Sequence, residues 1–455
     1  MKYLAAACGG ELVAGQESAE VSRVCTDSRI AGPGDLFVAL AGERFDAHDF
    51  VEEVIGKGVT AVLVSKDRLP KSPLAAGVIA VTDTRIALGK LGARYREDWK
   101  LPVVAVAGSN GKTTTKELIA SVLRQRFETL WSEASFNNDI GVPLTLLNLN
   151  ATHRAAVLEV GTNHPGELAP LIRCIAPRYG VITSIGREHL EFFHNIEGVA
   201  KEEGSLAELL PTDGVLFING DTAEVGTIRS CARCRVVQVG ANAGGQNDWQ
   251  ATDVRVVAEA THFRVKAPNN NFDGEYSVGL LGRHQVTNAL LAMAVGAELG
   301  LTREELLRGL VACTPPKMRL QISTVGGRLV INDAYNANAD SMLVALQTLK
   351  DLPVGGRRVA VLGDMGELGD ESVAAHTEVG ARVAELKLDL LVTVGERAKD
   401  IAMAAKAGGM GAVEVFETVE SALGPVRELV RAGDTVLVKA SRATRLERVI
   451  EAWKI

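Results

Sequence analysis

A buried-strand pattern that leads directly into a glycine-rich turn most constrains what this chain can fold into. The apolar run Val103–Ala107 is followed by Gly108, Ser109, Asn110 and Gly111, and then by Lys112, Thr113 and Thr114 at the start of a helical pattern. In such a turn, backbone N–H groups and the lysine surround a phosphate, and the threonine hydroxyl can ligate Mg²⁺. The pattern therefore predicts a nucleoside-triphosphate site in an α/β fold.

The turn departs from the usual phosphate-loop spacing at one position. The usual pattern opens with a glycine, and Val106 stands there instead. Glycines alone would fit an ordinary turn equally well. The prediction therefore depends on the strand before the turn, on Gly111, Lys112 and Thr113 within it, and on the helix after it.

Composition narrows the classes of protein further. The chain has 455 residues with 47% hydrophobic content, a length that predicts about three domains. A net charge of -7 and 4% aromatic content predict no nucleic-acid partner, since such a partner requires a basic patch and stacking surface. No apolar run is long enough to span a bilayer, so we expect no membrane insertion. Six cysteines, scattered except for Cys231 and Cys234, indicate no disulfide framework and favour a reducing cytoplasm.

The order of strand-like and helical patterns predicts three α/β domains. Residues 1–99 mix short strands with turns and carry no phosphate loop, which is typical of a substrate domain. Residues 100–314 alternate apolar strand runs with helical stretches, so we expect a mostly parallel sheet that binds the nucleotide. After Pro315 and Pro316 the alternation restarts, which predicts a Rossmann-like domain over 315–455. Its glycine spacing does not match the dinucleotide fingerprint.

Three ionisable residues outside the turn are candidates for metal chemistry. Glu159 ends the apolar run that starts at Ala155, which places it at the carboxyl end of a strand, where Mg²⁺ and phosphates bind in such sheets. His189 follows another strand run and could ligate a metal, although a lone histidine is more often packed or on the surface. Lys201 by itself resembles one charge on an amphipathic helix.

Two later polar clusters could contact a ligand. His284 and Asn288 are spaced by one helical turn, so both can face the same side. The segment Asn332–Ser341 concentrates hydrogen-bonding groups directly after the strand run Arg328–Ile331. A plain polar loop would have the same composition, and both interpretations stay open on the residues alone.

Five segments taken together resemble the Mur ligases over essentially the whole chain: Gly108–Thr115, Ser135–Pro143, Glu159–Glu167, Asp333–Asn338 and Val438–Glu447. Near the N-terminus, Thr26–Arg29, Pro33–Phe37 and Asp46–Phe50 are similar to the family's uridine-nucleotide-binding domain. Within the family, the segments around Asn163 and Asp333 favour the branch that adds D-alanyl-D-alanine.

The resemblance implies an ATP-dependent amide ligase of the cytoplasmic stage of peptidoglycan synthesis. ATP would convert the carboxylate of UDP-N-acetylmuramoyl-tripeptide into an acyl phosphate, which D-alanyl-D-alanine would attack through a tetrahedral intermediate. Closure of the third domain over the central one would exclude water from that acyl phosphate. We expect a monomer.

The resemblance also assigns roles to residues by position. Catalytic roles fall on Lys112, Glu159, His189 and Lys201, and ATP contacts on Gly108, Ser109, Asn110, Gly111, Lys112, Thr113, Thr114, Asn288, Arg319 and Asp333. Substrate contacts fall on Ser28 and Arg29 in the first domain and on Asn137, Asn138, Asn163 and His164 near the muramyl peptide.

Two Mg²⁺ ions are implied by the same resemblance. Thr113 and Glu159 would hold the first ion, and His189 with a carbamylated Lys201 would hold the second. The lysine needs a CO₂ adduct because an ammonium group cannot ligate a cation, whereas a carbamate presents anionic oxygens. The chain departs from the family nearby, since Glu203 and Ser205 stand where Lys and Glu are common, which leaves the geometry around Lys201 open.

Three alternative functions remain to be weighed. Another amide ligase of the superfamily, such as MurE or a folylpolyglutamate synthetase, is disfavoured by the segments at Asn163–His164 and Asn336–Asn338. A nucleotide-switched module of the GTPase type would need a guanine-reading Asn-Lys pair, and the sequence contains none. A noncatalytic scaffold is disfavoured by the intact acidic and basic candidate residues.

Overall fold

The computed structural model describes residues 1–42, 45–71, 75–242, 245–257 and 260–454. By the density of its contacts the chain divides into two compact units. The first unit contains Met1–Ala105, Phe127–Thr162 and Leu168–Arg178, and the second contains Val106–Arg126, Asn163–Glu167 and Tyr179–Ile455. Within the described ranges, none of the helices combines the length and the apolar character that crossing a bilayer requires.

The N-terminal region forms a five-stranded sheet in the order β1-β5-β4-β3-β2, in which β1 runs antiparallel to β5 and the other pairs are parallel. Its strands are β1 (Glu11–Ala14), β2 (Arg23–Cys25), β3 (Asp35–Val38), β4 (Ala61–Ser65) and β5 (Gly77–Val81). Its helices are α1 (Lys2–Cys8), α2 (Val51–Gly56) and α3 (Thr84–Glu97), with a 3-10 turn at Ala47–Phe50.

Alternating side chains of this sheet enter two separate cores. Leu36 and Leu63 pack with Leu88 of α3 in one core, while Phe37 and Val62 enter the other core on the opposite face. Neighbouring residues of a strand point to opposite sides of the sheet, so these two cores show that both faces of the sheet are buried. The continuous apolar strands of this region follow from that double burial.

The central region forms a nine-stranded sheet in the order β14-β13-β12-β11-β10-β9-β6-β8-β7, antiparallel only at the β12-β13 and β13-β14 pairs among the registers described. Its strands are β6 (Val103–Ala107), β7 (Thr129–Trp131), β8 (Ala155–Glu159), β9 (Tyr179–Ile182), β10 (Val215–Asn219), β11 (Arg235–Gly240), β12 (Trp249–Val256), β13 (Thr261–Lys266) and β14 (Gly274–Val278). Its helices are α4 (Lys112–Leu123), α5 (Gly141–Leu146), α6 (Leu168–Ile175), α7 (Leu190–Phe193), α8 (Ile196–Leu209), α9 (Val225–Cys231), α10 (Gln285–Glu298) and α11 (Arg303–Ala312), with a 3-10 turn at Asn270–Phe272.

The strand predicted before the glycine-rich turn is β6, and every residue in it is buried. The helix predicted after the turn is α4, which begins at Lys112. Helix α11 starts with a capping box in which Thr302 and Glu305 each bond the other's backbone N–H. These local signals explain why the elements begin where they do.

The C-terminal region forms a six-stranded sheet in the order β15-β16-β20-β17-β18-β19, parallel except for β15 against β16. Its strands are β15 (Gln321–Val325), β16 (Arg328–Asp333), β17 (Arg358–Gly363), β18 (Leu390–Val394), β19 (Val413–Phe416) and β20 (Thr435–Lys439). Its helices are α12 (Ala339–Asp351), α13 (Ser372–Glu385), α14 (Ala398–Ala407), α15 (Val419–Leu429) and α16 (Glu447–Ala452), with 3-10 turns at Gly369–Glu371 and Arg442–Thr444.

Helices cover both faces of this third sheet. Ile331 and Leu437 enter a core shared with α12, α13 and α14, whereas Val330 and Val436 enter a core shared with α15 and α16. The predicted α/β fold with a Rossmann-like third region is therefore confirmed. One boundary differs from the sequence prediction, because β16 continues through Asp333 and that residue belongs to the strand instead of the loop after it.

Candidate active site

Two glycines of the predicted phosphate loop have conformations that only glycine adopts easily. Gly108 has φ +113° and Gly111 has φ +86°. A Cβ atom at Gly108 would lie 2.5 Å from Thr183 Oγ1, and one at Gly111 would lie 2.8 Å from Asn288 Oδ1. The loop therefore depends on both glycines for backbone geometry and for close packing.

The segment after β9 holds the loop in this conformation. The Ser109 amide donates to the Ser184 carbonyl at 2.8 Å, and the Asn110 amide donates to the Ser184 hydroxyl at 3.0 Å. In return, the Gly186 amide donates to the Ser109 hydroxyl at 2.9 Å. These loop amides already have protein acceptors, whereas the amides in the first turn of α4 lack acceptors within the helix.

Lys112 lies among oxygen atoms at the start of α4. Its Nζ donates to the Gly108 carbonyl, to the Ser109 carbonyl at 3.2 Å and to Glu188 Oε2 at 3.3 Å. The Lys112 side chain is 15% exposed and that of Glu188 is 7% exposed. The structure thus brings the predicted lysine to the loop and adds Glu188, a carboxylate that the sequence analysis did not select.

Glu203 of α8 is a second unpredicted carboxylate at the loop. It is fully buried, and its Oε2 accepts a 2.7 Å hydrogen bond from the Gly108 amide. Burial raises the pKa of Glu203 to about 8, Lys112 acts in the opposite direction, and the neighbouring Glu188 raises it further. The sequence could have indicated that Glu203 points inward, since it shares a helical face with the apolar residues Val199 and Leu206.

Lys201, the predicted carbamate, lies on the exposed side of the same helix. Among the described residues, no hydrogen bond or ion pair joins the Lys201 side chain to the phosphate loop. The two positions are separated on α8 by the helical period, which turns Glu203 inward and Lys201 outward. The structure therefore does not bring Lys201 to the residues around Lys112.

In the first unit, the buried Glu159 pairs with the half-buried Asn137. Glu159 ends β8 and is 1% exposed, and its Oε1 accepts a 2.9 Å hydrogen bond from Asn137 Nδ2. Asn138 acts differently, since its Oδ1 accepts from the Gly141 amide at 2.8 Å at the start of α5. Asn137 therefore orients the predicted metal ligand, while Asn138 stabilises a helix terminus.

His189 has a left-handed backbone conformation, with φ +49°. Its Nδ1 lies 2.6 Å from Glu367 Oε2, without the alignment of a hydrogen bond. The presence of His189 lowers the pKa of Glu367. A carboxylate beside one ring nitrogen orients the imidazole, as partners of metal-binding histidines do.

Asn288, a predicted adenine contact, is buried against the phosphate loop. Its Oδ1 accepts from the Thr115 hydroxyl at 3.1 Å and its Nδ2 donates to Gln285 Oε1 at 2.9 Å. Thr114 is also buried in α4. Together with its packing against Gly111, these bonds give Asn288 a supporting role for the loop.

Asp333 and Arg319 lie in the C-terminal region with defined partners. Asp333 Oδ2 accepts from Lys439 Nζ at 2.6 Å, and its Oδ1 accepts from the Leu320 amide at 3.0 Å. The Arg319 guanidinium lies 4.3 Å from the centre of the Tyr335 ring. Both predicted nucleotide contacts are thus held by neighbours of the same region.

The remaining predicted substrate contacts are half-buried or exposed. Arg29 pairs with Asp27 at 2.6 Å and its side chain is 85% exposed, while the Ser28 carbonyl accepts from Lys57 Nζ at 2.8 Å. In the second unit, the Asn163 amide donates to Glu167 Oε2 at 2.8 Å. The His164 ring lies 4.2 Å from the Phe192 ring, centre to centre.

Several of these residues have buried oxygen atoms that could bind Mg²⁺. Thr113 Oγ1, Glu188 Oε1 and Glu203 Oε1 in the second unit, and Glu159 Oε2 in the first, are buried without a hydrogen-bond partner among the described residues. Oxygen atoms are the ligands that Mg²⁺ prefers, and it commonly binds through one or two carboxylates plus phosphate. In the parts of the chain that the structure describes, no cluster of three or more His, Cys, Asp or Glu side chains forms a closed metal site. The three oxygen atoms of the second unit fit an ion held jointly with a nucleotide.

Family models match all three regions of the chain. The Mur ligase family catalytic domain matches residues 20–96, the Mur ligase middle domain matches 106–296, and the Mur ligase glutamate ligase domain matches 318–442. Two curated relatives are both UDP-N-acetylmuramoyl-tripeptide--D-alanyl-D-alanine ligases. The protein of Escherichia coli (strain K12) is 37% identical, covering 94% of this chain and 93% of the relative. That of Bacillus subtilis (strain 168) is 38% identical, covering 96% and 93%.

Solved structures agree with the sequence relatives. MurF from Acinetobacter baumannii superposes with a TM-score of 0.89 at 35% identity, covering 100% of this chain and 98% of that one. MurF ligase from Thermotoga maritima in complex with ADP gives a TM-score of 0.82 at 27% identity, covering 95% and 97%. A Mycobacterium tuberculosis folylpolyglutamate synthase, at 18% identity and a TM-score of 0.64, shares the fold. The chain belongs to the Mur ligase family.

Proposed function

We propose that this protein is an ATP-dependent ligase that joins D-alanyl-D-alanine to UDP-N-acetylmuramoyl-tripeptide in the cytoplasmic stage of peptidoglycan synthesis. The observation that carries this proposal is the identity of 37% and 38% to two ligases of that name along more than nine-tenths of the chain. The ADP complex of the Thermotoga maritima relative supports ATP as the nucleotide.

The chemistry requires charge stabilisation more than covalent catalysis. A carboxylate that attacks the terminal phosphate of ATP brings anions together, so positioning and positive charge lower the barrier. Lys112 would turn its ammonium from Glu188 and the loop carbonyls toward the outer phosphate oxygens, and the N-terminus of α4 would add its partial positive charge. Mg²⁺, when bound, supplies further positive charge at the phosphates; Thr113, Glu159 and His189 are the residues that would hold it.

The remaining site assignments are part of the proposal. We assign Asn288, Arg319 and Asp333 to the nucleotide, Asn137, Asn138, Asn163 and His164 to the muramyl peptide, and Ser28 and Arg29 to the uridine nucleotide. We also keep the domain boundaries 1–99, 100–314 and 315–455. Each family-model match lies inside one of these ranges, which supports them.

Three finer points remain predictions. A monomer and a cytoplasmic location are expected for an enzyme with soluble nucleotide substrates. Carbamylation of Lys201 is the third; if it occurs, a Lys201→Ala variant should be nearly inactive and short carboxylic acids should partly restore it. The exposed position of Lys201 on α8 gives carbamylation no support, and Glu203 offers another source of anionic oxygen.

Phosphate release tests the proposed function directly. Purified protein with ATP, Mg²⁺, UDP-N-acetylmuramoyl-tripeptide and D-alanyl-D-alanine should release phosphate, and omission of any one component should stop steady turnover. Equal turnover with a dipeptide acceptor and a single amino acid, such as lysine or diaminopimelate, would contradict the proposal and favour a ligase that acts earlier on the peptide.

A further inference from the structure

Glu203 is the carboxylate most closely joined to the phosphate loop. Its side chain is completely removed from solvent, and one oxygen is fixed by the Gly108 amide at 2.7 Å. Its other oxygen, Oε1, is buried and has no hydrogen-bond partner among the described residues. A buried carboxyl oxygen without a partner is costly, so a folded protein retains one where a cation or donor binds.

The surroundings of Glu203 indicate a cation as that partner. Glu188 pairs with Lys112 of the same loop at 3.3 Å, its charge raises the pKa of Glu203, and its Oε1 is also buried without a hydrogen-bond partner among the described residues. The Thr113 hydroxyl follows Lys112 directly in sequence. Its oxygen is also buried without a hydrogen-bond partner among the described residues. Oxygen atoms of this kind, next to a phosphate loop, match the preference of a divalent cation that also binds phosphate.

The helix that carries Glu203 separates it from Lys201. On α8, the residues Val199, Ala200, Glu203 and Leu206 are buried, whereas Lys201 is exposed. A helix presents residues three and four apart on one face, so a side chain at 201 does not share the inner face with 203. A carbamate at Lys201 would therefore point away from the loop that Glu203 contacts.

We propose that Glu203 supplies the anionic oxygen from α8 to the divalent cation bound with the nucleotide, as an encoded carboxylate, so that Lys201 needs no carbamate. This inference rests on the proposed function only in requiring a nucleotide with Mg²⁺ at the loop. One Glu203 oxygen stays on the Gly108 amide and orients the loop, and the other faces the cation.

Substitutions on α8 distinguish two roles for Glu203: binding the cation, or only holding the loop through the Gly108 amide. Glu203→Gln keeps a carbonyl oxygen for the Gly108 amide but removes the negative charge. Lys201→Ala removes the only amine from which the predicted carbamate could form. Glu202→Gln is a matched control, since Glu202 is also buried and accepts a 2.8 Å bond from a backbone amide, that of Gly166.

Mn²⁺ binding in the presence of ADP, measured by electron paramagnetic resonance, is the readout. It needs neither peptide substrate, so failure of the proposed D-alanyl-D-alanine specificity would leave this test intact. We expect Glu203→Gln to weaken Mn²⁺ binding by about tenfold or more, as loss of a group that tunes a metal site does, while Lys201→Ala and Glu202→Gln bind as the unchanged protein does. Equal Mn²⁺ affinity in Glu203→Gln, or weakened binding in Lys201→Ala, would overturn the proposal.

Two measurements on the unchanged protein keep the proposal testable if Glu203→Gln does not fold. In crystals with Mn²⁺ and ADP, anomalous scattering should place an ion about 2–2.3 Å from a Glu203 oxygen, the range of such metal–oxygen bonds. After equilibration with ¹³C-bicarbonate, carbon NMR of the unchanged protein should show no signal from a carbamate on Lys201. Comparison with Lys201→Ala identifies such a signal, because it would be lost in that variant. An ion remote from Glu203, or a carbamate signal that depends on Lys201, would overturn the assignment.

Discussion

At the scale of single residues, the site is organised by charges that already have partners. Lys112 contacts two loop carbonyls and Glu188, and Glu203 holds the amide of Gly108. A lysine held by neutral carbonyls and one carboxylate can move to phosphate oxygens at small cost, because a polyphosphate offers stronger charge-assisted bonds. Such preorganised groups contribute most to reactions in which negative charge develops.

Replacing Lys112 by alanine should therefore reduce turnover strongly. Loss of one preorganised cation costs about 3 kcal/mol of transition-state stabilisation, or roughly a hundredfold in kcat/KM. Steady-state phosphate release measures this, and circular dichroism should show an unchanged fold. The exposed Lys100 provides the control, since Lys100→Ala should keep normal turnover. A folded Lys112→Ala protein with near-normal kcat/KM would show that the loop lysine does not stabilise the transition state.

His376 links the end of β17 to α13 through both ring nitrogens. It is fully buried; its Nε2 accepts from the Met365 amide at 3.1 Å, which leaves the proton on Nδ1 to be donated to the Ser372 carbonyl at 2.7 Å. Burial lowers the pKa of His376, since the neutral ring is the form these bonds require. Below the unfolded pKa of about 6.5, the unfolded state binds more protons than the folded state.

Stability should therefore fall as the pH drops from about 6.5 toward the lowered pKa of His376, and its contribution should be complete above about 6.5. The measurement is the thermal midpoint of the unchanged protein and of His376→Gln at about pH 7.5 and about pH 5. We expect the thermal midpoint of the unchanged protein to fall further between these two pH values than that of the variant. The glutamine of the variant has no proton to gain at that position. Parallel pH curves for the two proteins would rule out this contribution.

At the scale of secondary-structure elements, a buried ion pair joins two neighbouring strands. β16 and β20 are parallel and bring Asp333 and Lys439 into register, with their charged groups 2.6 Å apart and side chains 12% and 3% exposed. Lys439 also donates to the Asn336 carbonyl at 2.9 Å. This pair orders the polar segment after β16, in which the sequence predicted ligand contacts.

Lys439→Met should leave the Asp333 carboxylate buried without its cation and cost about 3–5 kcal/mol in the free energy of unfolding. Denaturant unfolding of the single variant measures that loss. The double variant Lys439→Met with Asp333→Asn should recover much of it, because the uncompensated charge is removed with its partner. No recovery in the double variant would mean that packing of the lysine stem, instead of charge pairing, accounts for the loss.

Elements were easier to predict than contacts between them. The runs Val103–Ala107 and Ala155–Glu159 match strands residue for residue, because strands buried on both faces are continuous apolar runs. Glu203 at the Gly108 amide escaped prediction, since the contact joins residues 95 apart in sequence and local periodicity carries no such information. The αL conformation of His189 and its neighbour Glu367 were hidden for the same reason.

At the scale of the whole molecule, Arg187 connects the segment after β9 to two helices of the C-terminal region within the second unit. Its guanidinium donates to Asp340 at 2.7 Å and 2.9 Å, and to Glu378 at 2.5 Å. Asn338, which caps α12, also donates to Asn110 of the phosphate loop at 3.1 Å. These contacts couple the loop to α12 and α13, so the C-terminal region influences where the loop atoms lie.

Arg187→Ala should therefore impair catalysis, although Arg187 acts by positioning the loop and not by contacting a reactant. Small displacements of positioned groups cost up to about a hundredfold in rate, and we expect kcat to fall roughly tenfold, with a smaller change in the KM for ATP. Arg187→Lys should be intermediate, because an ammonium group cannot reproduce the paired bonds of the guanidinium to Asp340. Arg382→Ala is the control, since Arg382 lies on α13 and bonds Glu385 of the same helix and Gln347 of α12, both within the C-terminal region; it should leave kcat unchanged. Equal kcat in Arg187→Ala and Arg382→Ala would show that the link between the loop and the C-terminal region does not position the reacting groups.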